Sequence, residues 1–562
     1  MTDATIASPL QRLRTVLDDA VLNVTGGERP RSAPSLERPK QAAHGDYATN
    51  AAMLLPKIVG AAPPMIAERL TVALQEHLGD ALREVEVAGP GFLNLRLSDG
   101  WLQAALADVV AAGERFGSGA AADAGVDEAI HLEFVSNNPT GPVHIGGARG
   151  AAFGSALANL LTFHGHRVHR EYYVNDYGNQ VAMFGASLQA RARGEEVPEG
   201  GYQGDYIADV AALIPDAATR PVEEVALAGI ALMVERQKAS LDRFRTTFDR
   251  WFSERSLYEP RPPAGGGEPI SEVDEAFAVL AAQGRSFEQD DALWLRTTDD
   301  GDDKDRVMRR ADGRPTYFAS DIAYHHDKRL RGFDRVLDVF GADHHGYVAR
   351  VVSAFVALGG TAEQIEVLVT QFVNLFEDGE RAKMSKRAGE FVALDDLVDD
   401  IGVDAARWYL LARSVDTTID LDLDEARQQS QENPVYYVQY AHARIRKILR
   451  RAADGETTEA REGAPEPEPG SLLVASEREL LLALLAWPDE VAEAAARRAP
   501  HRIATYALAL ARQFSAFYRD CPVLAAGLPD EVRARRLDLC RATAAVLAAA
   551  LGILGVDAPE EM

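Results

Sequence analysis

The stretch Asn138-Pro139-Thr140-Gly141-Pro142-Val143-His144-Ile145-Gly146-Gly147-Ala148-Arg149-Gly150 joins two runs of different period. Residues 130–135 form a short run with four apolar residues in six, as a buried strand does. Residues 145–163 are rich in Ala and Leu and stop at Gly165, as a helix does. A strand, a glycine-bearing turn and a helix in that order form the unit of a doubly wound parallel sheet, in which ligands bind outside the carboxyl ends of the strands. The first helical turn offers free amides and a positive dipole end to a phosphate. Gly146 and Gly147 let a flat base or a phosphate approach the backbone, and His144 can donate to a phosphate oxygen. By itself the segment fits a packing turn equally well, because a glycine-rich strand-to-helix turn has low specificity.

Working outward, the alternation continues. Strands are predicted at 130–135, 168–174, 292–295, 316–319, 336–340 and 365–370, with helices at 145–163, 223–252 and 347–358. The fold class expected is α/β, a Rossmann-type doubly wound parallel sheet spanning 119–405, with a helical insertion at 194–284. Before it, residues 1–118 read as a small α+β unit whose turn Gly89-Pro90-Gly91 separates two short alternating runs. Beyond residue 405 the strand pattern stops, and 406–562 read as an all-α domain interrupted by a solvated loop at 455–470.

Composition sets outer bounds. A chain of 562 residues exceeds one core, and 47% hydrophobic with 26% charged residues is a globular balance. There is no uncharged apolar run of eighteen residues and no basic-then-apolar start, so neither a membrane span nor a secretory leader is expected. Two cysteines make no disulfide framework, which points to the cytosol. The net charge of −27 excludes a small basic nucleic-acid-binding module, but not a large enzyme with local basic surfaces.

Only eight of the 59 basic residues are Lys, and two of them fall in Arg381-Ala382-Lys383-Met384-Ser385-Lys386-Arg387-Ala388-Gly389. Flexible point charges three residues apart suit a clamp on a polyphosphate. A His-x-Gly turn after the first strand and a Lys-Met-Ser-Lys segment after the last, separated by a sheet-sized interval, resemble the class I aminoacyl-tRNA synthetases. Within that class the chain resembles the arginyl-tRNA synthetase family, through Gly45-Asp46-Tyr47-Ala48-Thr49-Asn50, Glu133-Phe134-Val135-Ser136, Tyr317-Phe318-Ala319-Ser320-Asp321 and Asn433-Pro434-Val435-Tyr436-Tyr437-Val438-Gln439-Tyr440.

The resemblance implies ligation of arginine to its tRNA through an arginyl-adenylate, with ATP and substrate-bound Mg²⁺ and no structural metal. It assigns catalysis to His144, Lys383 and Lys386. ATP would be held by Pro142, His144, Gly146, Gly147, Asp343, Lys383, Met384, Ser385 and Lys386. Arginine would be held by Glu133, Ser136, Asn138, Tyr317 and Asp321, with Asp176 and Gln180 as further candidates. A guanidinium carries five donors in a rigid fork, so carboxylates without a competing cation are what its pocket needs. The adjacent His344 and His345 cannot easily share one metal, and no Cys accompanies them.

For the tRNA, Tyr436 and Tyr440 supply stacking faces and Arg444 and Lys447 phosphate partners. By resemblance the carboxyl-terminal Met562 reaches the same place, and residues 1–118 touch the outer corner of the tRNA. The family commonly carries a second His where this chain has Gly147, and Arg before the final Met where it has Glu561. A monomer is the family default. Three alternatives are a class I synthetase for another amino acid such as lysine, a small-molecule adenylyltransferase and a non-catalytic relative.

Overall fold

The computed structural model describes residues 8–262, 268–382, 392–459, 465–467 and 470–562. Lys383, Met384, Ser385 and Lys386 therefore lie outside the described residues.

Five parallel strands form the central sheet: β1 (Ala129–Glu133), β2 (Arg167–Val174), β3 (Arg250–Ser253), β4 (Arg335–Gly341) and β5 (Ile365–Thr370). Their spatial order is β5-β4-β1-β2-β3. Chain order therefore reverses at β1, and the crevice between the carboxyl ends of β1 and β4 is the ligand position of such sheets. Ile130 and Leu132 of β1 are fully buried.

Helix α1 (Ile145–His164) follows β1 and lies close on the sheet because it is built from Gly and Ala. A Cβ on Gly154 would sit 2.2 Å from the Phe134 ring. Helices α2 (Asn179–Arg193), α3 (Val222–Arg243), α4 (Tyr317–Leu330) and α5 (Leu394–Leu411) complete the part that frames the site. After these come α6 (Pro434–Ala453), α7 (His501–Asp520) and α8 (Asp530–Leu554), the main helices of the carboxyl-terminal bundle. Among the described residues α8 is the one helix long and apolar enough to cross a membrane, yet 61% of its apolar window is buried, and it packs on α1, α6 and α7.

Two buried arginines tie the layers together. Arg149 on α1 donates to four carbonyls, those of Gln371 (2.6 Å), Phe372 (3.3 Å), Ser414 (3.0 Å) and Thr417 (2.7 Å). Arg407 on α5 donates to Leu554 O, Phe244 O and Ser155 Oγ, each at 2.8 Å. Burial lowers the Arg149 pKa to about 10, so the cation persists at neutral pH. Arg149→Ala leaves four carbonyls without their donor and opens a cavity. The expected cost is about 3–5 kcal/mol, read as a lowered thermal midpoint; an unchanged midpoint would contradict this account of the arginine.

Four expectations need correction. Residues 316–319 are not a strand: the chain is extended only to Thr316, whose Oγ1 donates to Val307 O (2.8 Å), and α4 begins at Tyr317. Aromatic residues after a threonine read as a strand, but here they begin the helix. Ala292–Leu295 is a strand of a separate antiparallel meander with Ser286–Gln289 and Arg306–Arg309, not of the parallel sheet.

The insertion at 194–284 is also not wholly helical, since it contains β3, an edge strand of the catalytic sheet. Phe244, Phe248, Trp251 and Phe252 continue the helical spacing of Leu241, which hides the end of α3. The helix stops at Arg243, Arg245 takes φ +57°, and β3 then places Trp251 on Tyr172 (4.1 Å between ring centroids). Ile419–Asp422 is likewise a strand beyond residue 405, paired with Val373–Glu377.

The amino-terminal unit pairs Tyr47–Thr49 and Leu82–Ala88 with Phe92–Leu97 in an antiparallel sheet. It docks on the helical bundle through Arg478, which donates to Asp46 (2.6 and 2.8 Å) and Asp99 (2.9 Å).

Candidate active site

At the end of β1 the chain turns through two non-glycine residues of positive φ, Val135 (+72°) and Ser136 (+43°). Such backbone costs about 1–3 kcal/mol per residue and clusters at functional sites. The turn is held from outside. Gln237 on α3, fully buried, donates to Asn138 O (3.0 Å) and Gly141 O (2.8 Å), and the Tyr172 hydroxyl donates to Asn137 O (3.1 Å).

His144 caps α1. Its Nδ1 accepts from the amides of Gly146 (3.1 Å) and Gly147 (3.3 Å), which leaves the neutral ring's proton on Nε2. Loss of hydration lowers its pKa while the Asp343 carboxylate raises it, so the imidazole is a neutral donor at pH 7. Asp343 and His144 are thereby neighbours, although they lie 199 positions apart in the chain. The segment just past residue 391 lies against the histidine turn: Ile145 N donates to Val392 O (3.0 Å) and Leu394 N to Val143 O (2.7 Å). The first residues described after the lysine-bearing segment are thus hydrogen-bonded to the histidine turn.

Across the crevice Glu133 of β1 stands opposite Asp338 of β4. The fully buried Lys328 of α4 donates to Glu133 Oε2 (2.6 Å) and Asp338 Oδ1 (2.7 Å). Glu133 Oε1 accepts from Ser136 Oγ (2.9 Å), and His325 Nε2 bonds Asp338 Oδ2 (2.8 Å) while its Nδ1 meets Asp321 O (2.7 Å). A continuous polar chain therefore runs from Asp321 to Ser136. Burial raises the Asp338 pKa, but Lys328 and His325 more than offset that and leave it below the usual range. Burial raises Glu133, with Lys328 opposing.

Asp321 accepts from the Tyr347 hydroxyl, and burial raises its pKa. Beside it Glu254 accepts from Ser320 Oγ (2.6 Å) through Oε1. Its Oε2 is buried with no partner among the described residues, and burial, aided by Asp321, pushes its pKa up to about 7. Glu133 and Asp338 thus share one lysine, whereas the Asp321–Glu254 end carries excess acid. Tyr317, 58% exposed, lies at the mouth against Gly178.

The other expected residues separate by role. Asn138 Oδ1 accepts from Asn175 (3.1 Å), and Gln180 donates to Asn175 O (3.1 Å). Both oxygens of Asp176 are engaged, by Ser253 Oγ (2.6 Å) and Arg255 N (2.9 Å), so it braces the turn after β3. On α6 the Tyr436 and Tyr440 rings lie parallel within 7° at 6.1 Å, with the Arg444 guanidinium over Tyr440 (4.6 Å) and Tyr518 (5.1 Å). Tyr437 instead turns inward to Ser515 Oγ (2.9 Å). Lys447 is exposed, and Met562 lines a groove of about 580 Å³ with Tyr436, Asn433 and Gln429. Arg446 pairs with Glu560 (2.8 Å) and Arg450 with Glu561 (3.0 Å).

Lys328, Glu254 and Tyr347 were not legible as site residues. Lys328 is one of only eight lysines but lies in an ordinary helical run, Glu254 lies in the insertion and Tyr347 at the start of a helix, where nothing in the spacing distinguishes them.

A parallel sheet of this order, with a capping histidine at the first helix and an anchored segment after the last strand, defines the catalytic domain of a class I aminoacyl-tRNA synthetase. Residues 116–229 and 264–447 match the family described as tRNA synthetases class I (R), catalytic domain. Residues 11–97 match the arginyl tRNA synthetase N terminal domain and 438–562 the DALR anticodon binding domain. Arginine--tRNA ligase 1 of Halalkalibacterium halodurans is 42% identical over 545 residues, 94% of each chain. The Thermus thermophilus arginyl-tRNA synthetase structure superposes with a TM-score of 0.75 at 24% identity, over 98% of this chain and 100% of that one. The Plasmodium falciparum arginyl-tRNA synthetase does so with 0.69 at 15%, over 98% and 99%. The chain belongs to the arginyl-tRNA synthetase family and is an arginine–tRNA ligase.

Proposed function

We propose that both steps of the ligation run in the crevice between β1 and β4. ATP lies against the start of α1, where Pro142, His144, Gly146, Gly147 and Asp343 meet it, and Lys383, Met384, Ser385 and Lys386 bind it with its Mg²⁺. Arginine enters past Tyr317 with its guanidinium toward Asp321 and Glu254, while Asn138, Ser136 and Glu133 position its polar end. The arginine carboxylate attacks the α-phosphorus, pyrophosphate leaves, and a hydroxyl of the terminal tRNA adenosine then takes the arginyl group and releases AMP. Little covalent chemistry is asked of the protein; placement and charge do most of the work.

The observation that carries this reading is the excess of buried carboxylate at Asp321 and Glu254, with Lys328 already committed to Glu133 and Asp338. Tyr436, Tyr440 and Arg444 offer stacking faces and charge to the anticodon loop, Lys447 and the Met562 groove flank them, and residues 1–118 meet the tRNA's outer corner. Two buried free thiols, Cys521 and Cys540, suit the cytosol, where we infer that the enzyme works as a monomer.

Glu254 supplies a test. A carboxyl raised to about 7 is half protonated near neutrality, whereas a guanidinium binds only the anion. Arginine affinity therefore falls as the pH drops below 7, by about tenfold between pH 8 and pH 6, with about one proton released per arginine bound at the lower pH. Calorimetry in buffers of different ionisation enthalpy reads both quantities. Equal affinity at the two pH values would remove Glu254 from the pocket.

A further inference from the structure

A side chain at residue 147, in the buried first turn of α1, would have to displace the side chain of Asn137. A Cβ there would stand 2.2 Å from Asn137 Nδ2, 3.1 Å from its Cγ and 3.2 Å from its Oδ1. The Asn137 carboxamide fills the space a side chain at 147 would take. Its backbone is fixed, because the Tyr172 hydroxyl donates to Asn137 O (3.1 Å) and Gln237 holds the next carbonyl (3.0 Å). The amide nitrogen, in contrast, is buried with no hydrogen-bond partner among the described residues. A shielded donor left unpaired disfavours the ligand-free state and is relieved when an acceptor arrives. The acceptor this place receives is set by its neighbours: the first-turn amides expected to be free are taken by His144 Nδ1 and Val392 O, and what remains, the dipole end of α1 and the neutral His144 Nε2–H, favours an anion.

We propose that Asn137 is a catalytic residue of adenylate formation, its Nδ2–H donating to a phosphate oxygen of ATP where position 147 can offer no side chain. The inference rests on the reading that ATP lies at the start of α1. In that step a carboxylate oxygen of arginine forms a bond to the α-phosphorus. The bond from that phosphorus to the bridging oxygen breaks, and its electron pair leaves on pyrophosphate. Asn137 keeps its protons throughout and acts by holding charge on oxygen.

The test is arginine-dependent pyrophosphate exchange, with tRNA present, on the full chain and five variants. Asn137→Ala lowers the maximal rate by about 10²-fold with the arginine KM within about twofold of the parent. Asn137→Asp, which keeps the shape but sets a carboxylate against polyphosphate, lowers it further. Gly147→Ala displaces the carboxamide and lowers the same rate, and adding Asn137→Ala to it brings no additional loss. A purely structural role predicts lowered thermal midpoints with unchanged maximal rates in both Asn137 variants, and that result overturns the proposal. His144→Ala separates the two levels. Loss in that variant alone removes Asn137 and leaves the ATP placement standing, whereas full rates in all of them remove both.

Discussion

Asp321→Ala lowers kcat/KM for arginine in adenylate formation by about 10³-fold, since removing one partner of a buried charge pair costs about 2–5 kcal/mol or more. The guanidinium then enters a site that keeps the Tyr347 hydroxyl, which in the parent donates to Asp321, but lacks the carboxylate that would bind the cation. Asp321→Asn, which keeps the volume and loses the charge, gives most of the same loss. The selectivity of the enzyme follows from this pocket. A hydrophobic pocket separates amino acids differing by a methylene by only about 1–3 kcal/mol, whereas buried polar groups left unpaired by the wrong ligand reject it by about 10⁴–10⁵-fold. Pyrophosphate exchange titrated with arginine reads the effect, and the anticodon-side affinity for tRNA reports whether the variants are folded. A loss of less than tenfold in a folded variant would move the guanidinium elsewhere.

Lys328→Met has the second large effect, and it acts on stability. Glu133 and Asp338 stand opposite each other on adjacent parallel strands, and the Lys328 ammonium, fully buried, bonds both. Removing it leaves two carboxylates facing each other in a dry crevice, at an expected cost of about 3–5 kcal/mol. The pH dependence follows from the sign of the shifts. Without the cation both carboxyls have raised pKa values in the folded protein, so they lose stability as the pH rises through and above the ordinary carboxylate range. The thermal midpoint of Lys328→Met therefore lies far below the parent's at pH 7.5, and closer to it at pH 5. Lys328→Met with Asp338→Asn recovers part of the deficit. A deficit that stayed constant between the two pH values would mean the lysine acts through packing alone.

The sequence reveals much of this architecture where one local rule dominates. Four of the five parallel strands and the helix after the first follow from short apolar runs and glycine stops, because strands buried on both faces need little else. The edge strand β3 escapes, since its Trp251 and Phe252 extend the helical spacing of the residues before them and only the pairing with Tyr172 and Tyr173 makes them a strand. Tyr317 and Asp321, which the family resemblance assigns to the arginine pocket, lie in the first turns of α4 rather than in the strand expected there; a motif match and a secondary-structure pattern are separate kinds of signal. The Lys328 network stays hidden because its three anchors, Glu133, Lys328 and Asp338, come from different elements, and a lysine in a helix ordinarily reads as a solvated face. Likewise Glu254 gains its meaning only from burial beside Asp321.

A structure of the enzyme with tRNA, arginine and a non-hydrolysable ATP analogue tests directly how the two distant segments cooperate. The account predicts His144 Nε2 and Lys386 Nζ each within about 3 Å of oxygens of the same triphosphate, with the guanidinium on Asp321. A nucleotide bound with either His144 or Lys386 out of reach of it would contradict the account at its centre.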